Sequence, residues 1–490
     1  MAIILRFVDS KGLIRERFFK VINVVDTCSL TLKDQICRVL AEYDLKVEDI
    51  RGQGYDGASN MRGQFNGLQA LFLKECPYAY YVHCFAHRLQ LSLNAAAKGV
   101  PDVWQFFSTL VTIVNFVDSS SKRHGMLKAY REAEILELVA VGSLGTCSGM
   151  NQAYTLQRPG ATRWGSHFRS ISSLIKLFEA TRTTVDDLYE NGVDKVKGEA
   201  KGIGEALIKF EFVYCLLLMH KVMNITEFLS QSFQKKDIDI VNAVECISLT
   251  KEKLQALRDN GWHDLITKVA AFSCEHDIIM PDMSLPYKRG ARRNGMNITN
   301  EHYFRVNVFY AVIDSQMAEL DNKFTESSIE ILVLSASFHP RNNFQAFKVE
   351  DVLLLASKFY PSDFSEHDMV ALNIECGFFA LSIPRDPRFA NLNSISDVCR
   401  LLVEHGKSIF YPMIYRLICL ILTLPVSTAT TERAFSSMNI IKSTLRNKMN
   451  DEFLDDLMVL YVERTFADCI SNDAVIAEFE MSGVRRVKFS

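Results

Sequence analysis

The sequence predicts an α/β N-terminal portion followed by a long all-α portion, and three observations support this. Apolar runs with strand character are confined to the first hundred residues. Amphipathic windows of helical period follow one another from about Val103 onward, and the segment Phe410 to Leu424 is apolar nearly all round, as a helix buried on every side requires.

Ile3 to Val8 and Phe18 to Val25 are apolar runs separated by Gly12, which predicts an antiparallel pair. Leu32, Ile36, Val39 and Leu40 place a helix over Leu30 to Tyr43, and Val47 to Gly52 is expected as a third strand entering a glycine-rich turn. A helix over Asn66 to Glu75, a short strand at Ala79 to Val82 and a helix over His87 to Lys98 follow. Further helices are expected at Trp104 to Val117, Gly165 to Tyr189, Ala206 to Gln231, Ile238 to Leu257 and His302 to Phe324. The polar breaks Glu190 to Gly204 and Pro286 to Asn300, the second carrying Lys288, Arg289, Arg292 and Arg293, read as solvated loops. After Pro425, Ser427 or Thr428 can cap a helix to about Asn439. Asn450 or Asp451 can cap another over Glu452 to Glu463, with a wide apolar face of Phe453, Leu454, Leu457, Met458, Leu460 and Tyr461.

A hydrophobic content of 48% against 23% charged residues excludes a disordered chain. The formal net charge of -3 means that any phosphate binding rests on local basic patches. Twelve scattered cysteines without a C-x-x-C pair do not make a disulfide framework or a four-cysteine zinc module, and a reducing compartment is expected. The apolar stretches near Phe212 to Met219 and Leu417 to Val426 read as too short or too interrupted to span a bilayer, so a soluble protein without a membrane partner is expected.

Gly52-Gln53-Gly54-Tyr55-Asp56-Gly57 matches G-x-G-x-x-G by letter. A nucleotide site is disfavoured, because Asp56 would set a carboxylate beside a pyrophosphate and the preceding residues are too polar for a central parallel strand. An aspartate at a strand end flanked by glycines can instead hold a divalent metal, or simply close a turn. Cys84 and His87 lie one helical turn apart and offer half a zinc site, or a buried thiol beside a hydrogen-bonded imidazole. Arg163 and Trp164 open a helix, where they can meet phosphate and stack on an unpaired base, or serve as a surface arginine and a core tryptophan. Glu432, alone, reads as helix surface electrostatics.

Taken in order, Gly54 to Met61, Val82 to Leu89, Thr162-Arg163-Trp164 and Leu424 to Ser436 resemble hAT-superfamily transposases, nearest the proteins described as zinc-finger MYM-type-like or TTF-type zinc-finger proteins. The resemblance implies a ribonuclease-H-like mixed sheet with a large helical insertion, and C-terminal helices that complete the catalytic domain and the dimerisation region. The expected segments are 1–100 for the first part of the catalytic domain, 101–400 for the insertion and 401–490 for the remainder. It further implies an active site of two aspartates and a glutamate holding magnesium or manganese. Asp56 matches the second aspartate and Glu432 the glutamate, so both are expected as catalytic and metal-binding residues. Two ions about 4 Å apart can activate the attacking oxygen and stabilise the leaving one at a phosphodiester. Trp164 matches the tryptophan that stacks on the flanking strand, Arg163 its neighbour, and Cys84 and His87 the family's C-x-x-H pair.

The family's first aspartate belongs to a strand upstream of the one that Ile3 to Val8 resembles, and Asp9, the nearest substitute, is expected to point away. The N-terminal zinc-binding DNA reader of the family also lies outside these residues. Loss of one ligand cripples a three-carboxylate site. The expectation is a nuclear, domesticated transposase derivative, catalytically impaired and without cofactor, that self-associates and has DNA as a second partner. The alternatives are an active metal-dependent transposase whose N-terminus lies upstream, and a purely structural helical interaction protein.

Overall fold

The computed structural model describes residues 1–140, 155–160, 164–236, 238–287, 298–324, 329–443 and 445–482. It is mostly helical, with two small sheets. β1 (Ala2–Val8) and β2 (Ile14–Val21) pair antiparallel, with a bulge where Ile3 faces Lys20 and Ile4 faces Phe18. β3 (Gly52–Tyr55) and β4 (Tyr80–His83) pair parallel in a second sheet. Among the described residues, ladder hydrogen bonds therefore form two separate pairs in place of the single mixed sheet expected.

The α-helices of eight residues or more, numbered along the chain, begin with α1 (Ser29–Glu42), α2 (Leu68–Glu75), α3 (Phe85–Gly99), α4 (Pro101–Asp118) and α5 (Ser121–Ala140). Next come α6 (Trp164–Lys176), α7 (Phe178–Asn191), α8 (Asp194–Leu207), α9 (Phe210–Phe233), α10 (Ile240–Asn260), α11 (Trp262–Glu275) and α12 (Ala311–Lys323). The last are α13 (Val349–Phe359), α14 (Glu366–Ser382), α15 (Ile395–Glu404), α16 (Pro412–Leu422), α17 (Ala429–Ile441), α18 (Asp451–Val462) and α19 (Asn472–Met481).

Several elements differ from expectation for local reasons. The second strand starts at Ile14, because Asp9 closes a tight turn by accepting the amides of Lys11 and Leu13 at 2.9 and 3.0 Å, with Gly12 at φ +74°. Val47–Asp49 is a short 3-10 turn, and the strand comes after it, in the glycines themselves. The polar break before Gly204 is helix α8, whose Ala200, Ile203 and Leu207 recur at helical spacing and are buried. The window Gly165 to Tyr189 is two helices, broken at Leu177. The basic cluster Lys288 to Arg293 lies outside the described residues. At the far end, Asn450 caps α18 by accepting the Phe453 amide at 2.9 Å, and Ser427 Oγ accepts the Ala429 amide at 3.0 Å before α17.

The chain divides into two compact units, and the cuts fall elsewhere than at the expected segment ends. One unit holds Met1–His87, Ser232–Val244 and Glu326–Ser490; the other holds Arg88–Gln231 and Glu245–Thr325. The second unit is built around α9, which at 24 residues is long and apolar enough to cross a bilayer. Its Val213, Tyr214, Leu216, Met219 and Met223 are buried inside the unit, as in the core helix of a globular domain. Tyr214 donates to the Phe304 carbonyl at 2.8 Å, which satisfies its buried hydroxyl.

Burial holds His167 and His220 below the ordinary imidazole range, and Lys176 and Lys268 push His220 the same way. The unfolded chain takes up protons at these positions near pH 6.5, where the folded chain resists them, so stability is full above that pH and falls as the pH drops below it. Urea unfolding followed by tryptophan fluorescence should give lower midpoints at pH 5.5 than at pH 7.5. The fluorescence reports this unit, since Trp104, Trp164 and Trp262 all belong to it.

Candidate functional site

The first unit gathers three of the sequence motifs at one junction. β3 pairs with β4 through Gly52 with Tyr80, Gln53 with Tyr81, Gly54 with Val82 and Tyr55 with His83. The first two glycines of the G-x-G-x-x-G string, Gly52 and Gly54, therefore lie in the strand itself and not in a phosphate-cradling turn after it. Their reason is steric. A Cβ on Gly52 would sit 2.8 Å from the Pro425 ring and 3.2 Å from the Thr423 carbonyl, and a Cβ on Gly54 would sit 2.9 Å from Pro425. The segment Thr423 to Thr428 thus lies flat against β3, and only glycine admits it.

Cys84 locks this junction. Its amide donates to the Tyr55 carbonyl at 3.0 Å, directly before Asp56. Its buried sulfur accepts the amides of Thr428 at 3.2 Å and His87 at 3.5 Å. Phe85 N–H donates to the Val426 carbonyl at 2.9 Å. Glu432 follows one turn later, its amide bonded to the Thr428 carbonyl at 3.1 Å. The chain segments that carry Asp56 and Glu432 are each tied to Cys84, although they lie far apart in sequence.

A row of rings runs beside Asp56. Tyr55 stacks near Tyr81 at 6.0 Å, Tyr81 near His83 at 6.4 Å, and His83 faces His87 at 5.7 Å between ring centroids. A Cβ on Gly57 would come within 2.9 Å of the His83 ring, so the glycine lets the imidazole close over the turn. Asp56 is exposed and accepts the Ala58 amide at 3.2 Å; Glu432 is half-buried in the first turn of α17.

The donor set does not make a metal site as it stands: among the described residues, no three His, Cys, Asp or Glu side chains come together to hold an ion. Asp9 is engaged elsewhere, by the Lys11 and Leu13 amides and by Arg15 at 2.7 Å. Cys84 acts as an acceptor of two amides. In the other unit, Trp164 opens α6, and Arg163 lies outside the described residues.

A buried ionic network that the sequence reading missed fixes the start of α17. Arg6 on β1 donates to Glu16 on β2 at 2.8 Å, to the Leu422 carbonyl at 2.9 Å and to the Ile238 carbonyl at 2.9 Å. Glu16 accepts the Thr430 hydroxyl, which also receives Arg433 at 2.7 Å. The signal lay in the alternation Ile14, Glu16, Phe18, all buried, which places a charged residue on the inward face of a strand.

The C-terminal helices complete this unit. Leu454 and Met458 of α18 pack with Phe18, Ala434 and Ile441 in one apolar cluster. Asp455 accepts the Val21 amide at 2.7 Å, and Glu463 accepts the Phe18 amide at 2.8 Å while pairing with Arg17 at 2.8 Å. Two carboxylates thereby cover backbone donors on the open edge of β2. Phe453 and Leu460, seven residues apart on the neighbouring flank of α18, are about half exposed, and so is Tyr461 at its C-terminal end. The wide apolar face expected there is thus split between an internal stripe and a solvent-facing one.

Two parts of the chain match family models. Residues 1–67 match the ZMYM1/FAM200, RNase-like domain, and residues 384–466 match the hAT family C-terminal dimerisation region. The chain thus carries one segment similar to an RNase-like domain and one similar to the hAT dimerisation region. Its two matched segments meet in a single unit, through the contacts of β1 and β2 with α17 and α18. Over 481 residues it is 22% identical to the mouse "52 kDa repressor of the inhibitor of the protein kinase", covering 94% of this chain and 60% of that protein. The human protein of the same name is 21% identical over 481 residues, covering 94% of this chain and 59% of its own length. The chain therefore spans about 60% of the length of these curated relatives.

Proposed function

We propose that this hAT-derived chain works as a self-associating protein that does not itself cleave DNA. The observation that carries the reading is that Phe453, Leu460 and Tyr461 are 49–51% exposed on a helix inside the matched dimerisation region. Large apolar side chains left in water beside a packed stripe gain by covering one another in a second copy. Leu457 is partly buried against the internal cluster, so it is the wrong position for a test. Leu460→Glu with Tyr461→Glu should halve the molar mass measured by light scattering while leaving the far-ultraviolet circular dichroism unchanged. An undiminished mass would count against this face.

The donor set among the described residues supports the second half of this reading. Asp56 and Glu432, matched to the catalytic positions, are two carboxylates where a two-ion phosphodiester reaction needs several. Incubation of the chain with flanked duplex DNA and magnesium or manganese should leave the strands intact; cutting that disappears in Glu432→Gln would overturn this half of the reading. Descent from a DNA-processing enzyme gives the nucleus as the working compartment and DNA as a second partner, through Arg163 and Trp164.

A further inference from the structure

The connector between α1 and β3 carries a lysine that the proposed function does not use. Leu45-Lys46-Val47-Glu48 has the order apolar residue, lysine, spacer, glutamate. The conjugating enzyme of the small ubiquitin-like modifier reads this order in its targets. Its surface takes the apolar and the acidic side chains, which sets the lysine amine at the enzyme's thioester. Those three side chains must therefore stand clear of the protein together, on a backbone that is extended at the lysine.

The same order occurs at Lys197, Lys209 and Lys348, and the structure separates the four. Lys197 lies inside α8 with its amide bonded to the Val193 carbonyl at 2.9 Å, so its backbone is helical where an extended one is needed. Lys209 follows Ile208, still helical at φ -84° and ψ -2°, and its own carbonyl accepts the Phe212 amide at the start of α9. At Lys348 the backbone is extended, but the apolar member, Phe347, is packed on the Phe338 and Phe379 rings at 5.9 and 5.1 Å between centroids.

Lys46 meets every condition. Its φ and ψ are -87° and 136°, Leu45 is 41% exposed, and Lys46 and Glu48 are both exposed. Among the described residues, neither the Lys46 amine nor the Glu48 carboxylate is engaged in a hydrogen bond or ion pair. Asp44, at φ +56°, turns the chain out of α1 directly before Leu45. The spacer Val47 is the member that faces inward, onto the cluster of Leu32, Leu68 and Phe72. The short 3-10 turn over Val47–Asp49 is closed by amide bonds from Asp49 to Lys46 at 3.2 Å and from Ile50 to Val47 at 3.1 Å. Both are at the long end of the normal range, and a turn of this length extends readily on docking.

We infer that Lys46 is a conjugation site for the small ubiquitin-like modifier. The neutral amine attacks the modifier's C-terminal glycine carbonyl, which the conjugating enzyme holds as a thioester on its cysteine. The C–N bond of an isopeptide forms, the C–S bond breaks, and the amine proton passes to the leaving thiolate. The thioester is the co-reactant, charged beforehand with ATP. An exposed ε-amine on a flexible stem suits this acceptor role. The inference does not depend on the self-association proposed above.

The test is to incubate the full chain with the modifier, its activating and conjugating enzymes and ATP, without a ligase. One conjugate is expected, mapped to Lys46 by peptide mass. Lys46→Arg should abolish it although the charge is kept. Glu48→Ala, with the lysine still in place, should slow it by about tenfold through loss of one charge-assisted contact. Lys197→Arg, Lys209→Arg and Lys348→Arg together should leave the rate unchanged. Lys46 and Glu48 are exposed, and unaltered circular dichroism checks that their variants fold. No conjugate on the unaltered chain would overturn the inference, and so would a conjugate that survives Lys46→Arg or is indifferent to Glu48→Ala.

Discussion

Arg6→Met is expected to destabilise the first unit by about 3–5 kcal/mol, the usual cost of removing one partner from a buried ion pair. Both side chains are nearly inaccessible, 7% for Arg6 and 8% for Glu16. The guanidinium also holds the Leu422 and Ile238 carbonyls, which lose their donor together. Its removal leaves the Glu16 carboxylate buried with the Thr430 hydroxyl as its remaining described partner. The tryptophans all lie in the other unit, so the loss is best read by hydrogen exchange at the β1 and β2 amides. It should accelerate exchange there by about two to three and a half orders of magnitude, at about 1.4 kcal/mol per tenfold. Replacing both partners, Arg6→Met with Glu16→Met, should cost less than Arg6→Met alone, because no charge is then stranded. If the double variant is the worse of the two, the network is not held by this pair.

Gly54→Val is expected to cost about 1–3 kcal/mol by overpacking, although valine by itself favours a strand. The added Cβ would sit 2.9 Å from two carbons of the Pro425 ring, which cannot rotate away. Relief requires Thr423 to Thr428 to lift off β3, which breaks the Cys84 bonds that join the Asp56 and Glu432 segments. Thermal melting should show the loss, and Gly54→Val with Pro425→Ala should recover part of it. Strict additivity of the two substitutions would show that the valine is not striking the proline.

The two glycines also show how far the sequence could be read. Their strand-end position and the carboxylate beside them were legible from residue types and order. Their true constraint was not, because it comes from a proline 371 positions after Gly54. Strands of four residues such as β3 and β4 carry little periodic signal, so their limits shifted by a few residues, and the extent of the sheet could not be judged from pattern at all. Several helices were legible from apolar spacing, but α5, α11, α13, α14 and α15 drew no expectation, and α8 was read as a loop because its glycines and charges mask a stripe of only three buried residues. The apolar face of α18 was visible, but which flank packs inward depends on β2 and α17, far away in the sequence. The four strings of apolar residue, lysine, spacer and glutamate show the same limit: their order is in the sequence, whereas the exposure of the one at Lys46 is a fact of tertiary packing alone.

The most direct measurement is the molar mass of the unaltered chain at micromolar concentration. Self-association through exposed apolar helix faces gives a multiple of 55.7 kDa that falls on dilution. A single species of 55.7 kDa at every concentration would contradict the account.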